Sequence, residues 1–338
     1  MPTEEEHLRQ LVINKIEEAK ARKSSHLDLS NLGLDEIPDN LSQLPHLISL
    51  DLSDNNISKI QGLDALKRLS QLHLESNRIN FIQNLDHLHD LKILDLGLNR
   101  IGKIQNLSLL NNLSFLALRD NRISHIENLH HLSNLEILDL SSNEIKKIEG
   151  LSKLKRLSKL FLHDNNLTKI ENLDQSKSIN KLFLSNNKIY KVQNLNGLKS
   201  LSSLDLSNNK IESLEDLNIL NNLTQLDLSD NPIKSIRPLE HLLKSEIKIS
   251  FEDSFDFWLR SKGLNLRDCP LQDPPIEIVN QGTEPILRYW GKRLAKDYDI
   301  NFRGRILLVG EGGAGKTSLQ VKIADPQTLR ACLKIFIF

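Results

Sequence analysis

Cysteine is nearly missing from this chain: Cys269 and Cys332 are the only two in 338 residues. Two are too few for the disulfide framework on which small secreted folds depend. Aromatic residues make up only 4% of the chain, so an interior of any size has to be filled by Leu and Ile. No run of 18 apolar residues occurs, which excludes a membrane-spanning helix by the usual length argument. The N-terminus, Met1-Pro2-Thr3-Glu4-Glu5-Glu6, is acidic where a secretory leader is basic and then apolar. A cytoplasmic location is the expectation. Neither sign of charge dominates, with 44 basic against 44 acidic residues, so neither nucleic acid nor a membrane is expected as partner.

Periodicity is abundant. Asn55, Asn77, Asn99, Asn121, Asn143, Asn165, Asn187, Asn209 and Asn231 recur at an unbroken interval of 22 residues. Such a period means one supersecondary unit stacked many times, each copy burying its apolar face against the next. Every Asn sits in one frame, as in Leu47-x-x-Leu50-x-Leu52-x-x-Asn55-x-Ile57-x-x-Ile60-x-x-Leu63-x-x-Leu66, and the next copy starts at Leu69.

This frame resembles the leucine-rich repeat. Leu50 and Leu52 alternate as a short strand requires and point to one face. Ile57, Ile60, Leu63 and Leu66 follow at spacings of three, which suits a short 3₁₀ or α-helical return on the convex side. An Asn amide has two donor hydrogens and an acceptor oxygen, so a ladder of Asn side chains can satisfy turn backbone that would otherwise be orphaned. The expected fold class is α/β: a solenoid of 22-residue repeats with a parallel concave sheet and a short-helical convex side, followed by the first strand, P-loop and helix of a P-loop NTPase domain.

The edges of the array need covers. Leu8, Leu11, Val12, Ile16 and Ala19 fall on one helical stripe between residues 3 and 23, so 1–26 is expected to be an N-terminal capping helix. The first repeat carries Leu32 where the ladder Asn belongs, and the solenoid is assigned to 27–272. Its last part is irregular. Ile247 to Phe251 with Phe255, Phe257 and Trp258 reads as an altered repeat with an aromatic core cluster, and Cys269 occupies the Asn position of one last repeat as a structural residue. Residues 273–303 read as a Pro-containing linker with a helix from about Glu284 to Lys296. The basic residues Arg288, Lys292, Arg293, Lys296, Arg303 and Arg305 alternate with Asp297 and Asp299, an exposed-linker pattern.

Residues 304–338 hold a second motif. After the apolar strand Ile306-Leu307-Leu308-Val309 comes Gly310-Glu311-Gly312-Gly313-Ala314-Gly315-Lys316-Thr317, followed by Ser318. This is G-x-x-x-x-G-K-[ST] in its strand-before, helix-after context. Glycines let successive backbone N–H groups wrap a phosphate, Lys316 would reach the outer phosphates and Thr317 would ligate Mg²⁺. Together, the 22-residue array, the segment from Asn265 through Gly282 and the run Leu307 to Ser318 resemble bacterial Roco proteins, in which leucine-rich repeats precede a Ras-like Roc GTPase domain and a COR dimerisation domain. The resemblance covers residues 5 to 323 and implies GTP as nucleotide and Mg²⁺ as cofactor. The 21 residues after Thr317 carry neither D-x-x-G nor [NT]-K-x-D, so the expectation is a Roc fragment without COR-type dimerisation and with no catalytic residue to name.

Two function classes follow: an interaction platform that binds a protein on its concave face, and a GTP-binding switch acting through Gly310 to Thr317. For the first, the central concave column reads Asp51, His73, Asp95, Ala117, Asp139, Phe161, Phe183, Asp205, Asp227. Phe161 and Phe183, with Phe115 nearby and Lys159 and Lys181 in the neighbouring column, are expected to form an exposed aromatic and basic contact patch. The run Asp51, His73, Asp95 has the composition of a charge-paired His suited to acid–base chemistry, but an open sheet has no water-excluded pocket, and a solvated stripe is expected.

Overall fold

A computed structural model of the chain describes residues 4–245, 247–251 and 263–294. The P-loop segment 304–338 and the cluster of Phe255, Phe257 and Trp258 lie outside these residues. Among the described residues, ten strands of three residues each, from His26–Asp28 to Gln225–Asp227, pair in parallel and in chain order. Each partner is offset by one repeat, as in Leu138 opposite Leu160 and Leu160 opposite Leu182, while the first pair sets Leu27 opposite Leu50. One departure closes the sheet. Gly263–Asn265 pairs directly with Gln225–Asp227, and the earlier segment Ile249–Ser250 lies beyond it as the outermost strand.

The alternation of each strand sends its central leucine into the core, and the column from Leu50 through Leu226 is fully buried. The convex return is less helical than the spacing of three suggests. Most repeats close with single tight turns, such as Leu66 N–H to Leu63 O at 2.9 Å and Leu69 N–H to Leu66 O at 3.0 Å. Short 3₁₀ segments form at Asp39–Gln43, Glu215–Ile219 and Arg237–Leu239. The 22-residue length explains this: three strand residues and two turns leave space for one 3₁₀-type bond at a time.

Two asparagine ladders run through the stack. In the first, Asn143 Nδ2 donates to Leu118 O at 2.9 Å in the preceding repeat and to Ser141 O at 3.0 Å in its own, while its Oδ1 accepts from Ile123 N–H at 2.9 Å. Asn77, Asn99, Asn165 and Asn187 repeat the pattern. At the bottom, Asn55 Oδ1 accepts from both Leu32 and Leu34 N–H, which compensates for the missing rung in the first repeat. At the top, Cys269 is buried in the Asn position and its thiol donates to Leu228 O at 3.2 Å. Burial pushes that thiol up to about 12, consistent with a structural, protonated sulfur.

The second ladder lies seven residues further on. Asn84, Asn106, Asn128, Asn172 and Asn194 each adopt a positive φ and donate to a carbonyl 24 residues back, at 2.7–3.0 Å. Gly62 and Gly150 occupy the same position with φ of 72° and 69°. Gly enters this region without steric cost and Asn more easily than most side chains, so backbone geometry favours these two at the position.

The ends are capped as apolar patterning requires. Helix Glu4–Arg22 buries Val12, Ile16 and Ala19 against the first repeat, whereas Leu11, assigned to the same stripe, remains exposed. Helix Thr283–Leu294 buries Ile286 and Trp290. The Arg237 guanidinium lies 5.1 Å from the Trp290 ring, and the indole N–H donates to Asp273 at 3.4 Å, so the last repeat and this helix are tied by polar as well as apolar contacts.

Candidate functional site

The two residues flanking each buried leucine point away from the core, which sets two columns on the concave face. In the first, Ile93, Phe115, Ile137, Lys159 and Lys181 are in consecutive register. In the second, the same strands carry Asp95, Ala117, Asp139, Phe161 and Phe183. Ile93, Phe115 and Ile137 are each half-buried, and Ile137 packs against the cluster of Phe161 and Phe183. An apolar band therefore crosses the middle repeats diagonally, from the first column into the second.

The expectation that Phe161 and Phe183 are exposed is wrong. Only 8% of Phe161 and 5% of Phe183 remain accessible. Their rings stack with centroids 4.6 Å apart and planes within 1° of parallel, and His163 sits edge-on to Phe161 at 6.4 Å. Sheet spacing accounts for the stacking, and Ile137 packs against the pair. Parallel neighbours lie about 4.8 Å apart, so two aromatic side chains in register cover one another's faces. These rings form the floor of the patch, while Phe115, Lys159 and Lys181 keep accessible surface, together with Ile93 and Ile137. The first column read down the sequence exposes the run Ile93-Phe115-Ile137; the column of Phe161 and Phe183 alone does not reveal it.

Acidic residues of the second column are turned into their own turns and do not form a freely solvated stripe. Asp51 accepts from Ser53 N–H at 2.9 Å, Asp139 from Ser141 N–H and Oγ at 3.0 and 2.6 Å, and Asp205 from Ser207 N–H and Oγ at 3.0 and 2.8 Å. Side chains of this kind cap the end of each strand. Asp95 follows the rule with Gly97 N–H at 2.9 Å. Burial raises the Asp95 carboxyl above its ordinary range, against the opposing Gly97 hydrogen bond and the Arg119 charge. Burial likewise raises Asp205. His73 stands opposite Asp51 and Asp95 on the adjacent strands, and its charge acts on the Asp95 carboxyl.

Arg119 reaches over one whole repeat to pair with Glu75 and also contacts Asp120 at 3.5 Å. Gly97 makes that reach possible: a Cβ there would meet Arg119 Cγ at 3.0 Å and the Asp95 carboxylate at 3.2 Å. Phe115, Ile137, Phe161, Arg119, Lys159 and His163 border an open depression of about 380 Å³. Asp120, Asp139, Ser141 and Ser142 complete its lining, so apolar and polar side chains meet there. The segment Gly310 to Ser318, expected from sequence to hold phosphate, lies outside the described residues, and no helix of the described residues is long and apolar enough to cross a membrane.

Family profiles described as leucine-rich repeat match residues 116–205, 25–79 and 222–242. Comparison with curated proteins finds no match. Among solved structures, the functional domain of InlJ from Listeria monocytogenes is 24% identical with a TM-score of 0.59, over 72% of this chain and 54% of that one. The LRIM1/APL1C complex is 20% identical with a TM-score of 0.55, over 68% and 41%. The leucine-rich-repeat ectodomain of the receptor kinase GASSHO1/SCHENGEN3 from Arabidopsis thaliana is 30% identical with a TM-score of 0.53, over 64% and 28%. This chain thus spans about half or less of each. Fold, ladder and profiles define the class: a leucine-rich-repeat solenoid.

Proposed function

We propose that the chain is an interaction scaffold that holds a protein partner on the concave face of its middle repeats. One observation carries this reading. A band of Ile93, Phe115 and Ile137 over the stacked Phe161 and Phe183 lies on an open sheet face whose other strand positions are mostly polar. Apolar side chains left on a surface at adjacent positions mark contact sites, because each gains by leaving water. The Arabidopsis ectodomain, which shares the solenoid, is solved in complex with CASPARIAN STRIP INTEGRITY FACTOR 2, which supports partner binding on such a framework. Pull-down from source-cell lysate with the parent chain, with Phe115→Ala/Ile137→Ala and with Phe81→Ala tests the proposal. Phe81 is 64% exposed and outside the concave columns. Partners lost only with the first variant support the concave face; partners lost only with Phe81→Ala refute it.

A second reading rests on Gly310-Glu311-Gly312-Gly313-Ala314-Gly315-Lys316-Thr317-Ser318: the scaffold belongs to a Roco-type protein that binds GTP with Mg²⁺. The motif after the apolar run Ile306 to Val309 supports it, since a phosphate-binding loop of this kind needs such a run before it and aims backbone N–H groups at phosphate. Calorimetric titration with GTP and Mg²⁺ decides it. Binding that Lys316→Ala abolishes favours the reading, and no binding by the parent chain counts against it.

A further inference from the structure

The charged rim of the concave band contains a pair of cations with no ion-pair partner among the described residues. Lys159 and Lys181 stand directly opposite one another on adjacent parallel strands. Strand spacing sets their Cα atoms about 4.8 Å apart, and like charges in that arrangement repel. Both side chains are half-buried, so part of that repulsion acts across apolar surroundings where screening is weaker. Among the described residues neither ammonium has an ion-pair or hydrogen-bond partner.

Neighbouring charges do not fill that role. Glu75 and Asp120 are taken by Arg119, and the Asp139 and Asp205 carboxylates accept hydrogen bonds from Ser141 and Ser207 in their own turns. Each other charge bordering the band therefore has a local use, whereas the two lysines hold positive charge over an apolar floor. On the side away from Lys181, Lys159 borders the depression between Phe115, Ile137 and Phe161.

Building on the concave-face reading above, we infer that the partner segment is acidic: it sets a carboxylate between Lys159 and Lys181 and seats a neighbouring aromatic or aliphatic side chain in the depression bordered by Phe115, Ile137 and Phe161. A carboxylate has two oxygens and can meet both ammonium groups at once, which turns their mutual repulsion into a gain on binding. The apolar anchor supplies the area, and the charge pair supplies the choice of partner and the speed of encounter.

A phage-displayed random-peptide library panned against the full chain tests this. The selected peptides should be enriched in Asp or Glu next to Phe, Tyr or Leu. Lys159→Met/Lys181→Met keeps the apolar stems and should weaken the selected peptides about tenfold, while Lys159→Glu/Lys181→Glu should weaken them about a hundredfold. Raising salt from about 50 to about 300 mM should weaken binding to the parent and leave the Met variant nearly unchanged. Urea midpoints equal to the parent's show that the variants fold. Peptides that lose binding with Phe115→Ala/Ile137→Ala but ignore Lys159→Glu/Lys181→Glu overturn the acidic inference and leave the concave-face reading standing. Peptides indifferent to both pairs overturn the concave-face reading as well, and a library yielding no acidic binder overturns the inference.

Discussion

Phe161 and Phe183 lie ring on ring, 4.6 Å between centroids and within 1° of parallel, on the concave side of a sheet whose opposite side carries the leucine core. The stack is a small second core, and its removal should therefore be felt in stability. Phe161→Ala is expected to lower unfolding free energy by about 1–3 kcal/mol, less than a full core Phe because one side of the cluster opens to the concave surface. A double-mutant cycle with Phe183→Ala in urea should show a coupling of about 0.5–1.5 kcal/mol. Additive losses would mean that the rings do not support one another.

Asn143 tests the first ladder. Replacement by Leu strands Ile123 N–H inside the stack and removes one donor each from the carbonyls of Leu118 and Ser141, which keep Asn121 Nδ2 and Asp120 N–H. A loss of about 1–3 kcal/mol in urea unfolding is expected. A midpoint unchanged from the parent would show that these groups find other partners.

Much of this was legible from spacing alone. The 22-residue interval fixed the repeat, and the frame around Asn143 fixed which side chains enter the core, because a strand alternates and a stack has one interior. The second ladder was missed, although Asn84, Asn106, Asn128, Asn172 and Asn194 recur at multiples of the same interval. Gly62 and Gly150 interrupt it, and equivalence between Asn and Gly is visible only once both are known to share a positive φ. Burial of Phe161 and Phe183 was equally hidden, since alternation tells which face a residue takes and nothing about what lies beside it. The Asp–Ser turns were written plainly as Asp51-x-Ser53, Asp139-x-Ser141 and Asp205-x-Ser207, and required only turn chemistry to be read.

Glycine substitutions separate backbone need from chance. At Gly150 an added Cβ would sit 2.6 Å from Ile126 O, and φ is +69°, so Gly150→Ala should cost about 1–2 kcal/mol. Gly102 has nothing within 4 Å of such a Cβ and no positive φ, so Gly102→Ala should leave stability unchanged or raise it by about 0.4–1 kcal/mol. Thermal or urea midpoints moving in the same direction for both would contradict this assignment.

Two carboxylates should respond oppositely to pH. Burial raises Asp205, so the folded chain holds that proton more tightly than the unfolded chain. Its contribution is most favourable below the ordinary carboxylate range, near about pH 4, and is lost as pH rises through the raised value. Asp28 is lowered, first by the Ser30 hydroxyl and then by the Ser30 backbone N–H, so its contribution is present above that range and is lost as pH falls. Asp205→Asn should therefore gain on the parent at pH 7 relative to pH 4, and Asp28→Asn should lose. Urea midpoints at the two pH values, with the same sign for both variants, would refute the assignment.

The account rests most heavily on the concave band as the binding surface, and site-specific photocrosslinking addresses it directly. With a benzoylphenylalanine replacing Phe115 in one chain and Phe81 in another, irradiation in source cells and mass spectrometry of adducts report which face a partner touches. The expected result is a protein adduct through position 115 that charge reversal at Lys159 and Lys181 diminishes, with none at 81. Adducts at 81 and none at 115 would place the partner elsewhere on the solenoid and contradict the account.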